Sequence, residues 1–168
     1  MCASKTDLEL YIHIPFCIKK CNYCDFLSFP SNEERREIYV QSLINEIEQT
    51  GKLLDKDAYA VRSIFIGGGT PSLLSGKQIE RIMLAVRNAF FIMEEAEITM
   101  ETNPGTLTKE NVFSYKKAGV NRFSMGLQSA DDACLHLLGR IHTWEEFLKS
   151  YDQAETVLWQ ILRGSGLR

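Results

Sequence analysis

The sequence predicts an α/β fold of about four parallel β-loop-α units. Two observations carry this expectation. Strand-like apolar runs alternate with segments of helical period along the chain, the pattern of a parallel sheet with crossover helices. Every chemically unusual loop also follows a strand, so these loops gather at the carboxyl ends of the strands, in an open sheet or in a barrel.

Residues 8–14 form the first expected strand, ended by Pro15. A cysteine-rich loop follows, and Pro30-Ser31 lead into a helix over 33–54 with Ile38, Leu43, Ile44 and Ile47 as its buried stripe. Residues 61–66 are a near-continuous apolar run, the signature of a strand covered on both faces. Gly67-Gly68-Gly69-Thr70-Pro71 breaks it. Ser75 starts the next helix, with Ile79, Ile82, Met83, Val86 and Phe90 facing inward. Residues 96–102 are the third strand, stopped by Asn103-Pro104-Gly105. Thr108 is an expected N-cap for a helix over 109–118, with Gly119 just past its end. Residues 121–125 form the fourth strand, and helical segments over 131–138 and from Thr143 onward complete the pattern.

The chain has 168 residues, 45% hydrophobic and 24% charged, the composition of one ordinary globular domain. A net charge of -3 offers no attraction for nucleic acid or an anionic membrane. No apolar run approaches membrane-spanning length, and residues 1–7 lack the apolar centre of a signal peptide. Five cysteines, an odd count, argue against a disulfide framework and for a reducing cytoplasm. Cys2 and Cys134 are expected to be inert thiols, Cys134 as a small buried hydrophobe.

Cys17, Cys21 and Cys24 concentrate the chemistry. Three thiolates at these spacings suit three irons of a 4Fe-4S cluster, leaving one iron open to a cofactor or substrate. A zinc site with His13 as a fourth ligand is the alternative, as is a chance grouping. Lys19 and Lys20 would offset negative charge there, and Tyr23 could shield the site. The triple glycine permits close approach of backbone to a ligand. Glu101 could accept hydrogen bonds from ribose hydroxyls or a cation, Gln128 can donate and accept, and Arg140 could clamp a carboxylate. His136 and His142 are expected to pack or to face solvent.

Together, residues 11–17, Cys21-Asn22-Tyr23-Cys24-Asp25-Phe26, Gly67-Gly68-Gly69-Thr70-Pro71, Glu101-Thr102-Asn103-Pro104, residues 119–122, residues 124–129 and Leu138-Gly139-Arg140-Ile141-His142 resemble the radical S-adenosylmethionine (SAM) enzymes. More narrowly, they resemble the oxygen-independent coproporphyrinogen III oxidase family. The likeness covers residues 8 to 154. Asp25-Phe26 directly after the triad, and the early first cysteine, are similar to the HemW branch of heme chaperones. The oxidases proper carry a longer N-terminal arm and a further cysteine.

The resemblance implies a partial (β/α) barrel of the radical SAM type. It implies a 4Fe-4S cluster on Cys17, Cys21 and Cys24, with SAM chelating the open iron. It implies a SAM pocket lined by Tyr11, Gly68, Gly69, Thr70, Glu101, Gln128 and Arg140. Heme or a porphyrin is the implied further ligand and a respiratory heme acceptor the implied partner, with porphyrinogen oxidation as the alternative chemistry. Beyond residue 154 the likeness ends. The family continues into a fifth strand bearing an Asp, whereas residues 155–168 read as a divergent, truncated or out-of-frame tail. An incomplete barrel, inactive on its own, is the expectation from that ending. A non-catalytic iron–sulfur module is the other reading.

Overall fold

The computed structural model describes residues 5–155 and 161–163. Five parallel strands form one sheet in the order β1-β2-β3-β4-β5: β1 (Thr6–Ile14), β2 (Tyr59–Gly68), β3 (Ile92–Thr102), β4 (Arg122–Met125) and β5 (Ile161–Arg163). The helices are α1 (Glu33–Leu53), α2 (Gly76–Ala89), α3 (Lys109–Lys117), α4 (Asp132–Leu137) and α5 (Trp144–Glu155), with a 3₁₀ turn at Pro71–Leu73. Strand order equals chain order throughout, so the sheet has no reversal point and the crossovers stack in a row. In that row α1 packs on α2, α2 on α3, and α3 on α5. The three-residue β5 pairs with β4 and adds a short strand to the four expected from sequence.

Local chemistry accounts for the boundaries. Asn32 caps α1 by accepting the Arg35 N–H. Ser75 and Gln78 form a capping box at α2, and Thr108 and Asn111 form one at α3, each satisfying two helix-start donors that would otherwise lack partners. Gly119, at φ +103°, takes the left-handed conformation that ends α3.

Strand alternation sorts the side chains into two faces. Ile12, Ile14, Ile64, Ile66, Ile98, Met100, Phe123 and Met125 are buried in the core with Ile79, Ile82, Met83 and Val86 of α2. On the other face Tyr11, Phe65, Thr99 and Arg122 are successive register partners. Phe65 is exposed there, so β2 is not covered on both faces as its apolar run suggests. Ile38 also departs from expectation. It is 61% exposed, and the buried stripe of α1 runs through Val40 and Ile47 with Leu43 and Ile44 partly covered. Cys134 faces solvent on α4 instead of packing inside.

Candidate functional site

The cysteine loop joins β1 to α1 and is anchored at several points. Buried Phe16 meets Phe29 and Tyr39 edge-on, with ring centroids 5.7 and 5.1 Å apart. The Cys17 N–H donates to Phe29 O at 3.1 Å, and the Phe29 N–H donates to Pro15 O at 2.9 Å. Further along, the Asn22 N–H donates to Leu138 O at 3.0 Å and its side-chain amide donates to Leu137 O at 2.9 Å. The first and middle parts of the loop are therefore fixed to the sheet and to the end of α4.

The glycine loop at the end of β2 approaches so closely that side chains are excluded. A Cβ on Gly69 would lie 2.6 Å from the Phe16 carbonyl oxygen, one residue before Cys17. Gly68 has φ +113°, and a Cβ there would lie 2.6 Å from the His13 ring. Its N–H donates to Glu101 Oε2 at 2.9 Å. Burial pushes the Glu101 carboxyl up, while the Gly68 N–H and His13 draw it partly back.

Cys17, Cys21 and Cys24 line one open cavity of about 560 Å³, together with Gly68, Gly69, Glu101, Gln128 and Arg140. Eight of the ten residues singled out from sequence thus meet in one place. Thr70 lies just beneath. It is buried, borders a crevice of about 20 Å³ that also touches Cys21, and donates its hydroxyl to Cys17 Sγ at 3.6 Å. Tyr11 is not in the cavity wall. Its ring stacks on Phe65 at 6.1 Å, and its hydroxyl meets His13 Nδ1 at 3.0 Å. Burial and the Glu101 carboxylate both hold its phenol above the ordinary range.

Arg140 is more engaged than a free clamp. Nη1 donates to Cys21 Sγ at 3.6 Å and to the Tyr23 hydroxyl at 3.4 Å. Nη2 donates to Asn103 Oδ1 and to Gly126 O, both at 2.8 Å. Nε is buried with no partner among the described residues. Gln128 is held at φ +69°, a left-handed conformation that costs energy for a residue with a side chain.

The donor set discriminates between metals. His13 is not a spare ligand, because Nε2 donates to Leu27 O at 3.1 Å and Nδ1 meets Tyr11. Among the described residues, no three His, Cys, Asp or Glu gather closely enough to hold a single metal ion. A cubane asks for a wider arrangement, since each thiolate binds its own iron. Three thiols around one cavity, with a cationic guanidinium beside Cys21 and an unpartnered buried donor, fit an anionic cluster and a carboxylate-bearing cofactor.

Part of the cavity wall received no site role from the sequence. Asn103 and Ser124 lie in it at strand ends, and Trp144, Phe147, Leu148 and Tyr151 line it from α5. The aromatic rings form a ladder, Trp144 to Phe147 at 5.4 Å and Phe147 to Tyr151 at 6.0 Å. The i, i+3, i+4, i+7 spacing of these α5 residues was the available signal.

Comparison with known proteins agrees with this geometry. The radical SAM superfamily model matches residues 11–157. The heme chaperone HemW of Escherichia coli (strain K12) is 48% identical over 145 residues, covering 83% of this chain and 36% of that protein. The mitochondrial radical S-adenosyl methionine domain-containing protein 1 of Mus musculus is 35% identical over 152 residues, covering 90% of this chain and 34% of that protein. The chain thus spans little more than a third of these relatives. Among solved structures, the coproporphyrinogen III oxidase HemN of Escherichia coli, described as a radical SAM enzyme, superposes with a TM-score of 0.84 at 28% identity, over 94% of this chain and 37% of that one. Methylornithine synthase shares the fold, with a TM-score of 0.57 at 12% identity. With its cysteine and glycine loops on one cavity and the family model spanning nearly all described residues, the chain belongs to the radical SAM superfamily and is similar within it to the HemW and HemN proteins.

Proposed function

We propose that the cavity holds a 4Fe-4S cluster on Cys17, Cys21 and Cys24 with SAM beside it, and that the chain serves heme handling as the HemW relatives' name describes. The observation that carries this is the convergence of three thiols, the glycine loop, Glu101, Gln128 and Arg140 on one cavity. When bound, the pair supplies one-electron reductive cleavage of a sulfonium C–S bond. This chain's residues bind and orient. Arg140 places positive charge against the thiolates, and Glu101 offers a carboxylate oxygen toward hydroxyl or ammonium groups. The glycine loop allows backbone N–H and C=O groups to approach the cofactor without intervening side chains. Tyr11 supports the site through His13 and Glu101 from lower on the same sheet face.

The same reading puts the protein in a reducing cytoplasm, and Cys17, Cys21, Cys24 and Cys134 are all unpaired. Among the described residues, no helix is long and apolar enough to cross a membrane. The test is anaerobic reconstitution with iron and sulfide, followed by titration with hemin. The expected result is a visible cluster absorbance lost in C17A, C21A and C24A, and a saturable heme spectrum. A chain that takes up no cluster overturns the site. A chain that takes up a cluster but shows no saturable heme binding overturns the heme role alone.

A further inference from the structure

We propose that Asn103 is the centre of a hydrogen-bond relay that delivers one proton donor each to Cys17 and Cys21 and thereby sets the reduction potential of the cluster they hold. The proposal rests on the cluster reading of the cavity given above.

The relay is continuous. Arg140 Nη2 donates to Asn103 Oδ1 at 2.8 Å, Asn103 Nδ2 donates to Thr70 Oγ1 at 2.8 Å, and Thr70 Oγ1 donates to Cys17 Sγ at 3.6 Å. On the other side Arg140 Nη1 donates to Cys21 Sγ at 3.6 Å. Two cysteines four residues apart are thus joined through three side chains from three other loops.

Its polarity follows from chemistry. A guanidinium has donors and no acceptor, so the Asn103 atom facing it must be the carbonyl oxygen. The amide nitrogen then faces Thr70, and it has only hydrogens to give. The Thr70 oxygen must accept, which leaves its single proton for Cys17. Each bond in the chain fixes the direction of the next, starting from the permanent charge on Arg140. Were Asn103 turned over, its NH₂ would oppose Arg140 and the Thr70 proton would be drawn away from sulfur.

Asn103 is itself held firmly. Its N–H donates to Ser72 Oγ at 3.3 Å, and its carbonyl accepts from Thr106 Oγ1 at 2.6 Å. It stands at the end of β3, immediately before the Pro104-Gly105 turn. The side chain therefore crosses between the glycine loop and the Arg140 loop from a fixed backbone. Thr70 is buried, so its hydroxyl does not exchange freely with water.

Donors to cluster sulfurs stabilise the reduced, more negative form and raise the potential. Asn103 touches neither thiolate, so it acts as a positioning residue through Thr70 and Arg140.

The experiment compares the reconstituted 168-residue chain with Asn103→Leu and Asn103→Ala by EPR-monitored redox titration without SAM, alongside iron and sulfide content and thermal melting. The expected result is wild-type cluster content with a potential shifted negative by about tenfold in the reduction equilibrium, about 59 mV for one electron. Thr70→Val should shift the potential the same way. Because Asn103 acts partly through Thr70, the double variant should fall short of the sum of the single shifts. An Asn103 variant with a full cluster and an unchanged potential overturns the relay while leaving the cluster reading intact. Strictly additive shifts also overturn it. If N103A fails to fold, the shape-conserving N103L carries the same decision. If N103L also fails, Thr70→Ser, which keeps the hydroxyl, must restore the wild-type potential that Thr70→Val lowers, and its failure to do so overturns the relay. A wild-type chain that takes up no cluster overturns the site reading, and the relay with it.

Discussion

Glu101 accepts the backbone N–H of Gly68 at 2.9 Å, which ties the end of β3 to the glycine loop leaving β2. The bond orients a carboxylate whose proton affinity is raised by burial, and it keeps the glycine backbone turned toward the cavity. Gly68 reaches this position only through φ +113°, with the His13 ring where a side chain would go. Gly68→Ala should therefore destabilise the chain by about 1–3 kcal/mol from backbone strain alone. A domain of this size loses about 2–4 °C of Tm per kcal/mol, so calorimetry checks it directly. An unchanged Tm would show that the loop is not held as described.

Gly69→Ala tests a different contact. Its φ is not in the left-handed region, so backbone strain does not enter. The new methyl would meet the backbone of Phe16, which cannot rotate away as a side chain can. Overpacking of this kind costs about 1–3 kcal/mol. The displacement falls next to Cys17, so cluster content after reconstitution should drop along with Tm. Loss of Tm with full cluster content would separate the glycine loop from the cysteine loop.

Tyr115 of α3 is fully buried and donates to Leu74 O at 2.6 Å and Ser72 O at 3.3 Å. Burial holds its phenol far above the ordinary range. The hydroxyl thus braces the segment just after the glycine loop. Tyr115→Phe should cost about 0.5–1.5 kcal/mol, measured by urea denaturation, with little change in denaturant slope.

His142 supplies a pH signature. Burial, and then the Arg140 charge, hold its imidazole below the ordinary histidine range, while the Leu127 carbonyl, Glu146 and Asp132 oppose them. The folded state therefore resists protonation more than the unfolded chain. Its contribution is complete above the ordinary histidine value and is lost as pH falls from there through the folded value. Stability should rise with pH across that window. His142→Gln should flatten the rise, as urea midpoints at a series of pH values will show. An equal slope in both proteins would place the titration elsewhere.

Much of this was legible in the sequence because it rests on local chemistry. Ser75 and Thr108 announce helix starts through short-range bonds, and Gly119 ends α3 by a conformation few other residues adopt. The site's clustering was legible because parallel strands send their loops to one edge. Ile38 was misplaced because the helix repeat allows two overlapping stripes, and only packing against α2 selects the one through Val40 and Ile47. Tyr11 shares its sheet face with Glu101 but sits off the cavity because it lies further from the carboxyl ends of the strands, level with Phe65 and Thr99 and two residues below Glu101. Asn103 was visible as part of a turn motif, but its bridging of Thr70 and Arg140 depends on residues 33 and 37 positions away.

The most direct measurement is the EPR spectrum of the reduced, reconstituted chain with and without SAM. A cluster of about four irons should form on Cys17, Cys21 and Cys24, and saturating SAM should change its signal by binding beside it. The change should disappear in Arg140→Ala and Glu101→Ala variants that retain the cluster. A fully loaded cluster whose spectrum is indifferent to SAM would contradict the assignment of this cavity.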